Sequence, residues 1–171
     1  ADGCYSQGSV YMDNDGTGPQ VAAGTIVGND CFGDRLGSID INVSSGIGSY
    51  SYEWSNGETT EDIDSLASGI YNVIVTDSLD CIGAGSFEVS QPSKISVSPV
   101  VTNSNCAGAD GKAVAVVSGG TKPYVYQWST GGGFEIAEGL AAGVYSVTII
   151  DAKSCEHVEP VIVNNVNGPV I

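Results

Sequence analysis

A chain of 171 residues with 20 acidic side chains against 5 basic ones has a formal net charge of −15. Without a cluster of Lys and Arg it would repel a phosphate backbone, which excludes nucleic acid as a partner. No apolar run approaches the roughly 18 residues that a membrane-spanning helix needs, and no basic start leads into an apolar run at the beginning, so a targeting sequence is expected outside this stretch.

In chain order, Ala1-Asp2-Gly3-Cys4 aligns with Ala152-Lys153-Ser154-Cys155, and residues 1–23 read as the end of a preceding repeat plus a linker. Within them Asp13-Asn14-Asp15-Gly16 resembles part of a calcium loop. Tyr11 stands where that loop needs its first ligand and the closing Glu is missing, so a turn is the expected reading, with Asp13 and Asp15 as calcium candidates. Residues 24–92 then form a first repeat. Ile39, Ile41 and Val43 alternate with polar residues, Tyr50, Tyr52 and Trp54 do the same before the turn Ser55-Asn56-Gly57, and Tyr71, Val73 and Val75 make a third such face ended by Asp77. Phe87 and Val89 make a last one before Gln91-Pro92. Apolar residues at every second position predict strands with one buried face.

Residues 93–165 repeat this organisation. A shift of 74 residues superimposes Tyr50, Tyr52, Trp54, Leu66, Gly69, Tyr71, Asp77 and Cys81 on Tyr124, Tyr126, Trp128, Leu140, Gly143, Tyr145, Asp151 and Cys155. Cys31 meets Cys106 one residue out of that register. The second copy's buried faces are expected at Val114, Val116, Tyr124, Tyr126, Trp128, Tyr145, Val147, Ile149, Val161 and Val163. Residues 166–171 read as the start of a linker to a further repeat. No segment has a helical period. Six or seven short strands per copy around one Trp predict an all-β chain of tandem immunoglobulin-like antiparallel β-sandwich domains. Trp54 and Trp128 are expected in the cores, and Tyr71 and Tyr145, each following Leu and Gly at a strand entry, are expected to form tyrosine corners.

A unit of about 70 residues buries little apolar surface, and such domains often carry disulfides. Pairing Cys31 with Cys81 and Cys106 with Cys155 staples each unit through a loop of about 50 residues, contributing about 4 kcal/mol on the chain-entropy account. It leaves Cys4 for an upstream residue. The competing scheme, Cys4 with Cys31 and Cys81 with Cys106, would join neighbouring units; the first is the expected pairing, because it repairs the small core directly. Solitary cysteines and one histidine, His157, do not suit zinc. Regular cysteines in repeating β domains point to an oxidising, extracellular setting.

No catalytic chemistry emerges. His157 beside Cys155 gives no triad, and nothing selects a pair of carboxylates for glycoside cleavage. A lysine-to-asparagine crosslink is excluded from the first copy, which has no lysine between Cys31 and Gln91. Most aromatics occupy repeated inward positions, leaving Tyr5, Tyr11, Phe32 and Phe134 for any ligand. No cofactor is expected, with calcium the one candidate ion.

Taken together, Cys31-Phe32-Gly33, Tyr50-Ser51-Tyr52-Glu53-Trp54-Ser55-Asn56-Gly57, Leu66-Ala67-Ser68-Gly69-Ile70-Tyr71, Val75-Thr76-Asp77 and Cys81 resemble the SprB repeat. Tyr124-Val125-Tyr126-Gln127-Trp128-Ser129 and Leu140-Ala141-Ala142-Gly143-Val144-Tyr145 repeat the motif, while Gly131-Gly132-Gly133-Phe134 departs from it. The resemblance, over about residues 25–163, implies a segment of a very large cell-surface adhesin of gliding bacteria, exported by type 9 secretion and used in gliding motility or surface attachment. It implies neighbouring repeats and a surface polysaccharide or substratum as partners. It also implies O-glycans at Asp-Ser followed by an apolar residue, which selects Ser65 and Ser78. The alternatives are a carbohydrate-binding accessory module of a secreted hydrolase, with its loops around Phe32 and Phe134, and a subunit of an extracellular polymer assembled by strand exchange.

Overall fold

The structure, a computed structural model, describes residues 18–105 and 108–166, all strand, turn or loop among those residues. The chain divides into two compact units, one of residues 1–29 and 33–91, the other of residues 30–32 and 92–171.

In the first unit, β1 (Gln20–Val27), β2 (Gly37–Ser44) and β4 (Ile63–Leu66) form one sheet in the order β1-β2-β4. The strands β3 (Ser51–Trp54), β5 (Gly69–Thr76) and β6 (Ile82–Val89) form a second in the order β3-β5-β6, and every pairing is antiparallel. First, second and fourth strands facing third, fifth and sixth is the order of an immunoglobulin-like sandwich that lacks its fourth lettered strand. Both sheets feed one core of Ile39, Ile41, Trp54, Ile63, Leu66, Val73, Val75 and Val89. Along β2 the side chains alternate, Ile39 and Ile41 buried and Asp40 and Asn42 exposed, as the pleat requires.

The second unit repeats the topology. One sheet has the order β11-β9-β7, from β7 (Ser96–Thr102), β9 (Gly111–Ser118) and β11 (Ile136–Leu140); the other has the order β10-β12-β13, from β10 (Val125–Trp128), β12 (Gly143–Ile150) and β13 (Glu156–Val163). The two-residue strands β8 (Ser104–Asn105) and β14 (Asn165–Val166) add a short parallel pair. Here the expected face on β9 is corrected by one residue. Ala113 and Ala115 are the buried residues and Val116 is 48% exposed, so Val114 and Val116 lie on the face away from the core. Ala113 and Ala115 occupy the positions of Ile39 and Ile41 under the 74-residue shift. Ile95, just before β7, and Val97, within it, join that core. A strand's period is two, so a one-residue slip exchanges its faces, and alternating Ala and Val mark neither face by hydrophobicity alone.

The repeat extends to backbone strain. The register of β4 against β2 shifts between Gly37 and Ile39, and that of β11 against β9 shifts between Glu138 and Leu140. Each irregularity holds one left-handed residue, Ser65 at φ 56° in the first unit and Gly139 at φ 70° in the second. Left-handed backbone costs an L-residue about 1–2 kcal/mol, against about 0.5–1 kcal/mol of extra chain entropy lost by glycine. The strain term is the larger, so Ser65→Gly is expected to stabilise the first unit by about 0.5–1 kcal/mol in urea unfolding. A lower midpoint in the variant would contradict this account of the bulge.

Candidate functional site

Four kinds of polar group hold the loops of each sandwich, and each falls at repeat-equivalent positions. The indole of Trp54, itself 2% exposed, donates from Nε1 to the Thr60 carbonyl at 2.9 Å; that of Trp128, 4% exposed, donates to Phe134 at 2.9 Å. The core aromatic therefore also pins the loop that stands in for the missing strand. Tyr71 donates its hydroxyl to the Ala67 carbonyl at 3.0 Å and Tyr145 to Ala141 at 2.9 Å, four residues back in both cases, which is the tyrosine-corner contact. Tyr50 donates likewise to Ser45, and Tyr124 to Gly119. Burial, then the nearby Glu61, pushes the Tyr52 phenol up, and burial, then Glu135, does the same to Tyr126. Both phenols stay protonated at neutral pH.

Asp77 and Asp151 were visible in the sequence only as repeated residues at a strand end. Each is 5% exposed and unites two loops. Asp77 accepts from Ile47 N at 2.9 Å through Oδ2, and from Leu79 N at 2.8 Å and Cys81 N at 3.0 Å through Oδ1. Asp151 accepts from Thr121 N at 2.8 Å, Lys153 N at 2.8 Å and Cys155 N at 2.9 Å. Burial acts to raise both carboxyls, but the three backbone amides on each outweigh it and hold both below the usual carboxylate range. At the opposite end of the first unit, Asn29 donates from Nδ2 to Leu66 O at 3.0 Å and accepts from Leu36 N at 2.7 Å and Gly37 N at 3.0 Å. Ser104, its counterpart in the second unit, donates to Gly108 O at 2.7 Å and lies 3.1 Å from the Asp110 carboxylate.

The expected disulfides are overturned. Cys31 is bonded to Cys155, with Cα atoms 5.6 Å apart and a separation of 124 positions in sequence. Cys81 is disulfide-bonded as well, and neither of these two is its partner. Pairing Cys31 with Cys81, or Cys106 with Cys155, is therefore wrong. The fold supplies the reason. Cys31 precedes β2, whereas Cys81 follows a turn that Asp77 ties to Ile47, beyond the far end of β2. An eight-residue strand spans about 26 Å, while a disulfide needs Cα atoms within about 7 Å. Residues 30–32 belong instead to the second unit, where Asp30 also meets Lys153 at 2.8 Å. Hydrogen bonding to Asp30, then its charge, raises the Lys153 ammonium.

The remaining candidates are dispersed. Ser65 is exposed and donates to Asp64 Oδ1 at 2.8 Å. The exposed Ser78 donates to Ser49 O at 3.2 Å and accepts from Ser49 N at 3.0 Å. Phe32 is 53% and Phe134 81% exposed, and His157 pairs with Glu159 at 3.2 Å. Cys4, Tyr5, Tyr11, Asp13, Asp15 and Cys106 lie outside the described residues. Among the described residues, no three of His, Cys, Asp or Glu converge as a metal would need, and no helix is long and apolar enough to cross a membrane.

The aspartates give this arrangement a pH signature. A carboxyl lowered on folding contributes stability that is complete above its unfolded value near 3.9 and is lost as pH falls through the folded value. The protein is expected to lose stability steadily from about pH 4 downward, and Asp77→Asn with Asp151→Asn is expected to flatten that acid limb while lowering stability at pH 7. Urea midpoints between pH 2 and 7 test it; parallel curves for both proteins would refute it.

No curated protein matches the chain. Among solved structures, the N-terminal eight Ig domains of Down syndrome cell adhesion molecule isoform 1.30.30 align over 86% of this chain and 25% of that one, at 10% identity and a TM-score of 0.44. A biofilm-associated protein BSP domain aligns over 86% of this chain and 30% of that one, at 14% identity and a TM-score of 0.25. The chain thus spans under a third of either. The family that does match is the SprB repeat, and it matches twice, over residues 23–59 and 98–133, once in each sandwich.

Proposed function

We propose that this chain is a non-catalytic structural segment of a long, secreted cell-surface adhesin, used in surface attachment or gliding. The observation that carries the reading is the double SprB-repeat match on two sandwiches of one topology. The Cys31–Cys155 disulfide suits an oxidising, extracellular location. The polar tips of Trp54, Trp128, Tyr71 and Tyr145 are spent on backbone carbonyls, a use that serves rigidity. We take the repeats as residues 24–92 and 93–165, and the exposed hydroxyls of Ser65 and Ser78 as glycan acceptors.

In the native bacterium, an antibody against residues 18–166 is expected to label intact cells, and deletion of the parent protein to reduce attachment or gliding several-fold. Confinement to the cytoplasm with reduced thiols would sink the reading. A carbohydrate-binding module is the second reading, favoured by Phe134, which is exposed while its own carbonyl is fixed by the Trp128 indole. Saturable binding on a glycan array that Phe134→Ala abolishes would support it, and an array without signal would leave the structural segment alone.

A further inference from the structure

We infer that the Cys31–Cys155 disulfide is a load bypass, which carries tension across the chain along one strand of each sandwich and leaves the other strands out of its path. The inference rests on the reading of this chain as a segment under tension, and it follows from covalent connectivity. A pull on the two ends of the chain travels along the backbone to Cys31, crosses the sulfur bridge to Cys155 and leaves along the backbone that follows. Residues 32–154 form a closed side loop outside that path. Any further bond made by Cys81 can only shorten the path.

The strands on the path make the bypass effective. Between the first described residues and Cys31 lies β1, Gln20–Val27; after Cys155 comes β13, Glu156–Val163. Each is entered at one end and left at the other, so the load runs lengthwise along a strand that is already extended at about 3.3 Å per residue. Such a strand has little slack to yield, and its lateral hydrogen bonds to β2 and β12 need not break for force to pass. The cores sit mainly on the other strands. Trp54, Trp128, Ile39, Val73, Val75, Val147 and Ile149 all fall between the two cysteines, with only Val161 and Val163 of the core on β13. A bond inside each unit, as the sequence suggested, would have left the linker between the units in the load path; this bond removes it.

The amount protected is large. At about 3.5 Å per extended residue, the 124-residue separation conceals about 430 Å of contour length.

The test is single-molecule stretching of the 171-residue chain held by handles at its two termini, first oxidised and then in a phosphine reductant. The oxidised chain is expected to reach full extension without releasing the loop, and the reduced chain to lengthen by a further 430 Å or so, in steps. Release of the same contour length by the oxidised chain would overturn the bypass. Cys31→Ser with Cys155→Ser should lengthen beyond the oxidised wild-type chain in oxidising buffer, and should match the reduced trace once the remaining bond of Cys81 is reduced as well. Emission of the buried Trp54 and Trp128 confirms before each pull that the units are folded, and the reduced wild-type chain supplies the comparison should the variant not fold. The outcome is separable from that of the cell experiments: a chain that plays no part in attachment would still show the bypass, and an adhesin without it would still label at the surface.

Discussion

A two-layer sandwich buries the middle of its strands and leaves its ends to be closed, and the backbone groups at those ends must find partners out of reach of the sheets. That requirement organises both units. Asp77 and Asp151 each gather three amides where the last two strands of the sandwich turn, Asn29 spans three backbone groups at the other end, and Trp54 and Trp128 hold the loop where a strand is missing. A buried donor left unpaired costs about 1–3 kcal/mol, comparable with burying one Val or Leu. In units this small, each such pin matters as much as one residue of the apolar core.

The two cores reach the same closure with different side chains. Ile39 and Ile41 fill the centre of the first, while Ala113 and Ala115 occupy those places in the second, with Ile95 and Val97 in the same core. At the polar end, Asn29 corresponds to Ser104 assisted by Asp110. Topology is kept and packing is redistributed, as expected where volume and pattern matter more than any single side chain.

How much of this was legible in the sequence depended on whether a residue's role was local. The alternating faces of β2, β3, β5 and β6, the buried tryptophans and both tyrosine corners follow from spacing of one or two residues, and the repeat made each of them visible twice. The strands β1 and β4 are illegible in the sequence for physical reasons. Seven of the eight residues of β1 are exposed at an edge, and β4 carries a bulge at Ser65 that places two exposed residues between its buried ends. Alternation was absent from the one and broken in the other. On β9 alanine faced inward, against the ranking by hydrophobicity. The disulfide was out of reach altogether, because spacing in sequence says nothing about which end of a strand a cysteine sits beside; the length of β2 decided that, and it becomes meaningful only once the fold is known.

The bridge between Cys31 and Cys155 also bears on recovery. A domain that opens in the direct line of pull must refold against the applied tension, which slows it exponentially with force. The polypeptide between these cysteines, excluded from that line, would collapse again at its resting rate after thermal or chemical opening, even while the two ends of the chain are held under tension. Durability of this kind comes from repair as much as from resistance.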